Sequence, residues 1–418
     1  MRPLLAALFL AGSTLARAAL PEAESGRPWF RPEATFTAAP AATAAPAFRV
    51  QYEMGAHMDM TQEAYRLYAS LYGGGELAQF IGSYTPSGPE SYDKDNVIAG
   101  AYEEDVPYRN PWNEQFPQFR HFWDCRKNAG WSGHDTAANR AQKYMTGGYG
   151  FDGAYDAGWA GGGDDTGAKG LGVLGLYAAG NKDKAYWYLG HAAHLLEDVT
   201  VPAHALLWPH PFGQDAYESY MTSHRSNWMK KRPAGAIPDS VSLHALFYAN
   251  ADAADDFDAG TGPGASGVDG KRDRGARRAA GFTQAALKQE GDVLWPQAVR
   301  SVAALFVHFY RQVDHTAPRV KLDRPRVKGG RVTLRARAED DQSGVARLGY
   351  RFEYAALREG RWTGCRPVPG GAGASGRVLN AAAGVYAFRA SAVDAAGNVG
   401  RSRARRVEIV RPALLALQ

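Results

Sequence analysis

Apolar and polar positions change period twice along the chain. From about residue 50, MTQEAYRLYASLY sets Met60, Ala64, Leu67 and Leu71 on one stripe at helical spacing, with Thr61 near its start. The same period returns in LGVLGLYAAG and KDKAYWYLGHAAHLLED, and more weakly over residues 216–229 and 242–249. It is strong from about Phe282 to Val313, where Leu294, Ala298, Val302, Leu305 and Phe309 are spaced for burial and Pro296 predicts a kink. Residues 73–170 are broken by Gly, Pro, Asn and Asp and predict a long loop-rich section, of a length that usually serves function. The Asp- and Gly-rich stretch 251–275 predicts a surface insertion and lacks the DxDxDG spacing of a calcium loop. After Thr316-Ala317-Pro318 the period falls to two, in RVTLRARAED, VARLGYRFEYA, GVYAFRASAVD and RRVEIV. Short alternating strands of this kind over about 95 residues predict a small all-β sandwich.

Composition sets the frame for these elements. With 418 residues and 45% hydrophobic content, the chain can build two or three domains with real cores. The start, MRPLLAALFLAGSTLARAAL, has a basic residue, an apolar run and small residues around Ala16-Arg17-Ala18, which predicts a signal peptide over 1–18. Residues 19–48, rich in Pro, Ala and Thr, read as a flexible leader. No later run approaches the roughly 18 apolar residues of a membrane span. The expectation is a secreted or periplasmic protein without a helical anchor.

Charge is uneven. Residues 319–411 hold 20 Lys and Arg against 8 Asp and Glu, so the net +5 of the whole chain conceals an acidic body and a basic tail. A basic tail suits an anionic membrane surface, nucleic acid or an acidic polymer, or simply a solvated β surface. The two cysteines, Cys125 and Cys365, are too far apart in sequence for a thiolate metal clip, so any metal must be held by His, Asp and Glu.

The stretch HAAHLLEDVTVPAHA, residues 191–205, carries such groups. On a helix His194 and Asp198 lie one above the other on one face. Pro202 forces a turn that can return His204 to the same place. Leu195, Leu196, Val199 and Val201 mark the segment as buried, and buried ionisable groups need partners or a metal. A surface helix with hydrated histidines is the plainer alternative. Two more clusters, AYEEDVPYR at 101–109 and RHFWDC at 120–125, lie in the loop-rich section.

Together, HLLEDVTVPAH, HFWD and EED resemble the zinc-dependent phospholipase C family of secreted bacterial enzymes, whose zinc architecture is shared with single-strand-specific nucleases. The likeness covers roughly residues 50–315. It implies a mainly α-helical zinc-hydrolase domain over 49–316, followed at 318–412 by the β-sandwich. DDQSGVARLGYR and SAVDAAGNVG there resemble bacterial immunoglobulin-like modules appended to secreted enzymes. The resemblance implies two or three zinc ions. His121, His194, Asp198 and Asp105 would hold the first. Asp198 would bridge to a second, bound also by His57 and the mature amino terminus. His204 would hold a third, with a later His and Glu.

The chain departs from that pattern in two places. FGQDAYESY offers Glu218, but Gln214 stands where the late His is expected. Asp215 is the replacement an i, i+3 spacing favours, with His210 as an alternative. Family enzymes also begin on a Trp ligand, whereas cleavage after Ala18 leaves Ala19, and Trp29 would need further trimming.

Imidazole and carboxylate are ligands zinc accepts, and paired metal ions can activate water and clamp a phosphate. Asp105 or Glu104 could act as general base. His191 could orient a ligand or be a core histidine. The run GGYGFDGAYDAGWAGGGDD reads as a lid or as a surface loop, and Trp112, Phe116, Phe119, Phe122 and Trp123 read mostly as packing. The implied activity is hydrolysis of phospholipid head groups at a membrane surface. A single-strand nuclease and a non-catalytic, zinc-stabilised surface binder are the alternatives. No obligate protein partner is evident.

Overall fold

The structure is a computed structural model that describes residues 54–91, 95–111, 114–151, 170–209, 215–229, 237, 242–262, 267–268, 282–369, 373 and 377–410. The signal and leader, His210, Gln214, Trp112, Trp29 and most of the Gly- and Tyr-rich run lie outside these residues. The described residues all belong to one compact unit.

Its first part is helical. In chain order come α1 (Met54–Tyr72), α2 (Leu77–Phe80), α3 (Val97–Glu103), α4 (Ala137–Thr146), α5 (Gly172–Ala178), α6 (Lys182–Asp198), α7 (Pro202–Ala205), α8 (Ala216–His224), α9 (Ser226–Met229), α10 (Leu243–Ala254) and α11 (Gln284–Val313). Every residue of α6 from Ala185 to Asp198 is buried, so it is the central helix, apolar nearly all round apart from its ionisable groups. α1, α3, α4, α5 and α11 pack against it. Pro296 sits inside α11, which continues through it.

Three α-helices, the short α2 and then α3 and α4, lie in the section whose composition predicts loops. α4 starts at Thr136, whose side chain accepts from the Asn139 N–H, and stops at Gly147 in a left-handed conformation, φ 84°. α3 is capped by Asn96. It lies against α6 at backbone contact: a Cβ on Gly100 would meet the Trp187 carbonyl oxygen at 2.0 Å, and one on Gly190 the Val97 oxygen at 2.1 Å. The paired glycines therefore set how closely α3 and the residues after it approach α6.

Of the predicted insertion 251–275, residues 251–260 turn inward, and most of 263–275 lies outside the described residues. Asp252, Asp255, Asp256 and Asp258 are all buried, and Arg126 reaches Asp255 at 2.7 Å, so a cation from a distant loop draws them inward.

The second part is antiparallel β. Strands Arg351–Arg358 and Gly384–Val393 pair at the centre of a six-stranded sheet, flanked by Arg361–Trp362, Arg366–Pro367, Val399–Arg401 and Arg405–Ile409. Arg326–Lys328, Arg331–Leu334 and Arg377–Asn380 make a three-stranded sheet, and Arg319–Leu322 pairs with Ala336–Glu339. Leu322, Val332, Leu334, Phe352, Phe388 and Ile409 share a core separate from the helical one. Along 331–337, exposed Arg331, Arg335 and Arg337 alternate with buried Val332, Leu334 and Ala336, so the pleat turns the arginines to solvent.

The two parts are hydrogen-bonded to each other. The Glu76 N–H donates to Gln342 O at 2.7 Å, the Arg347 N–H to Leu71 O at 2.9 Å, and the Tyr68 hydroxyl to Ser343 O. Cys125 is buried, Cys365 is exposed, and the two are unpaired.

Candidate metal centre

Helix α6 supplies His194 and Asp198 one turn apart, with His194 Nε2 3.2 Å from Asp198 Oδ2. Val201 adopts extended backbone and Pro202 opens α7, so the chain turns and brings His204 back, its Nδ1 3.7 Å from Asp198 Oδ1. The HFWD loop is anchored to α7 by the Trp123 N–H, which donates to His204 O at 3.1 Å. That bond places His121 with Nδ1 2.6 Å from Asp198 Oδ2 and 3.5 Å from Asp105 Oδ1. Asp105 follows α3, and its Oδ1 is 3.6 Å from His194 Nε2. His57 on α1 puts Nε2 3.5 Å from Asp198 Oδ1 and stacks on the His194 ring at 3.8 Å. Donor atoms of His57, His194 and Asp198 lie within 4.8 Å of one another, as do those of Asp105, His121 and His194.

Three of these imidazoles share one design. The Nδ1–H of His194 donates to Ala101 O at 2.7 Å, His57 Nδ1 meets Glu197 Oε2 at 2.8 Å, and His121 Nε2 faces Glu104 Oε1 at 3.5 Å. The outer nitrogens of His194 and His57 are thus held by an oxygen, that of His121 faces the Glu104 carboxylate, and each inner nitrogen points at Asp198 or Asp105. The inner nitrogen of His194 is buried and makes no hydrogen bond although two carboxylates stand within 3.6 Å. Outer anchoring with inward nitrogens is the arrangement a metal requires, since it fixes ring and tautomer together. The donors are imidazole and carboxylate throughout, which fits zinc.

A second pair adjoins the first. His204 Nε2 lies 3.5 Å from Glu218 Oε1. Asp215 is the N-cap of α8: its Oδ1 accepts the Glu218 N–H at 2.7 Å, and Glu218 Oε2 accepts the Asp215 N–H in return. Asp215 therefore sits beside Glu218 as a cap. Buried Glu290 on α11 is near Asp215, and burial, with Asp215 and Asp258 adding, pushes its carboxyl up to about 9.

The groups titrate as a set. Burial would raise the Asp198 carboxyl, but the imidazoles of His194, His204 and His121 outweigh it and hold it well below the usual carboxylate range. Burial opposes charge on His121 as well, yet Asp198, Glu104 and Asp105 push it up to about 10. His57 falls well below the usual imidazole value through burial and the neighbouring His194. Burial pushes Asp105 up to about 6.

Glu104 stands differently. Arg140 Nε pairs with its Oε1 at 2.7 Å, and Tyr144 and His191 hold its Oε2 at 2.5 and 2.6 Å. Burial would raise its carboxyl, but Arg140 leads the groups that hold it well below the ordinary value. His191 is thus a buried partner of Glu104 and does not face the metal cluster. Phe122 packs on the His204 ring at 4.7 Å, while Phe116, Phe119 and Trp131 cluster beside it.

Arg140, Tyr144 and Glu197 are positioning groups absent from the sequence reading, and Thr61, which that reading put only near a helix start, lies inside α1 and is a fourth. Arg140 and Tyr144 are an i, i+4 pair on α4, a spacing visible once Thr136 and Gly147 are read as caps. Glu197 turns away from Asp198 to His57 and also accepts from the Thr61 hydroxyl at 2.9 Å. Glu197→Gln is expected to weaken zinc affinity about 10–100-fold with the fold retained, as loss of an outer ligand partner does. Competition against a chromogenic chelator measures this, and unchanged affinity would show that Glu197 does not position His57.

No protein-family model matches the chain, and no curated protein matches it. Among solved structures it is similar to the alpha toxin from Clostridium absonum, at 11% identity over 86% of this chain and 96% of that one, with a TM-score of 0.33. A likeness of that size transfers neither architecture nor activity to this chain, and the arrangement of its own side chains is what speaks to function.

Proposed function

We propose that this chain is a secreted zinc-dependent phosphodiesterase of the phospholipase C type. The observation that carries the reading is the inward convergence of His57, His121, His194, Asp105 and Asp198, with the outer ring nitrogens of His57 and His194 already held by Glu197 and Ala101 O and that of His121 facing Glu104. His121, His194, Asp105 and Asp198 would hold one ion, His57 and Asp198 a second, and His204 and Glu218 a third beside Asp215.

Zinc there would supply Lewis acidity, acidifying a water towards about pH 7 and relieving charge that builds on phosphoryl oxygens. The chain's own groups do the rest. Asp105 would be the carboxylate that takes a proton from an attacking water, because Glu104 is occupied by Arg140, Tyr144 and His191. Glu197 and Thr61 keep His57 oriented. Phe122 packs against His204.

The β-rich part, read as an immunoglobulin-like module, would present the enzyme to an anionic lipid surface through its outward arginines. The signal peptide would export it. Zinc-dependent release of phosphocholine from phosphatidylcholine vesicles by the purified chain is the expected result. Zinc-dependent cleavage of single-stranded DNA with lipid left intact would instead make it a nuclease, and bound zinc without turnover of either substrate would end the enzymatic reading.

A further inference from the structure

The loops DDQSGV and VDAAGN play no part in the site above. Asp340 follows the strand Ala336–Glu339, Asp394 follows Gly384–Val393, and Asp314 caps the end of α11. One carboxylate oxygen from each lies within 4.8 Å of those of the other two. Asp314 and Asp394 are buried and Asp340 is half-buried.

Backbone amides meet these groups. The Thr316 and Ser343 N–H groups donate to Asp314 at 2.9 and 3.3 Å, those of Gln342 and Gly344 to Asp340 at 3.1 and 2.9 Å, and that of Asn398 to Asp394 at 2.8 Å. The Asn398 side-chain amide donates to Asp394 at 3.0 Å. Neutral donors do not cancel three negative charges. Among the described residues, none of the three carboxylates forms an ion pair with a lysine, arginine or histidine, whereas the acids buried near Arg126 and Arg140 do.

A separate observation concerns Ser343, whose N–H meets Asp314. It is 0% exposed, and its hydroxyl makes no hydrogen bond. An unsatisfied buried hydroxyl is costly, and folded proteins seldom tolerate one without a ligand or water to meet it. Burial, with Asp314 and Asp340 adding, pushes the Asp394 carboxyl up to about 6, in keeping with uncompensated charge.

We infer that Asp314, Asp340 and Asp394, gathered under the loop that carries Ser343, form a calcium-binding site at the junction between the helical and β-rich parts. The donors are hard oxygens from three separate loops. Calcium accepts 6–8 such ligands in flexible geometry, with water filling the remainder, whereas magnesium demands a near-ideal octahedron. The same loops carry the contacts between Gln342 and Glu76, Ser343 and Tyr68, and Asn398 and Asp314 O. A cation there fastens the two parts together, independently of what the zinc centre does.

The test is thermal unfolding of the full chain in saturating zinc, with calcium first removed and then restored. Calcium is expected to raise the wild-type melting temperature by about 5 °C, as a ligand bound only by the folded state does. Asp340→Asn and Asp394→Asn should abolish that rise while melting no lower than wild type without calcium, because each removes a repelling charge. Asp198→Asn, altered at the other centre, should keep the calcium rise. A rise of equal size in the Asp340 and Asp394 variants, no rise in wild type, or an equal rise with magnesium overturns the assignment.

Discussion

His194→Ala is expected to lower phosphodiester hydrolysis by on the order of 10³-fold or more and to lower the melting temperature with it. His194 alone belongs to both groups of converging donors, and its ring stacks on His57. Truncation takes away one inward nitrogen and the bond to Ala101 O, and leaves Asp105 and Asp198 close together without the imidazole between them. Zinc content, turnover and stability should therefore fall together, because ions bound there would tie α1, α3, the HFWD loop and α6 to one another. Metal analysis, an assay on a small phosphodiester and calorimetry on the same preparation check the three. Full turnover at unchanged zinc content would dismiss the metal centre.

Arg140→Met is expected to cost roughly 3–5 kcal/mol, since it removes the guanidinium that pairs with buried Glu104. Arg140 is 0% exposed and lies 2.7 Å from Glu104 and 2.6 Å from Glu114. The sign of the pH effect follows from Glu104, whose carboxyl is depressed in the folded chain. A depressed acid contributes stability that is full above its unfolded value, 4.5, and is lost as pH falls through its folded one. Wild type should lose this contribution in acid, and Arg140→Met should show a smaller loss. Urea unfolding at neutral and acid pH measures both. The double change Arg140→Met with Glu104→Gln should recover part of the loss, and a double variant no better than the single one would count against a charge-pair origin.

The helical body and the β-rich tail are readable as a change of period, because burial of one face imposes 3.6 on helices and 2 on strands. His194 beside Asp198 is readable from spacing, and the return of His204 from Pro202. α3 was not, because its seven residues are held by a glycine-to-glycine approach to α6 that no local pattern records. α4 carried a signature, Thr136 at its start and Gly147 at its end, inside a stretch whose overall composition resembles loop. The inward turn of Asp252 and Asp255 depends on Arg126, more than a hundred positions away, and composition alone reads such acids as surface. Glu197 stands next to Asp198, yet a helix sends adjacent side chains in different directions, so its partner on α1 was invisible to spacing.

The two glycines where α3 crosses α6 narrow what this chain can become. A methyl group at either position would have to lever α3 outward, and the carboxylates at 104 and 105 ride on its end. Variation at these two positions, remote from any reacting atom, would thus detune the spacing of the whole constellation, so a descendant could change its rim freely but not this crossing.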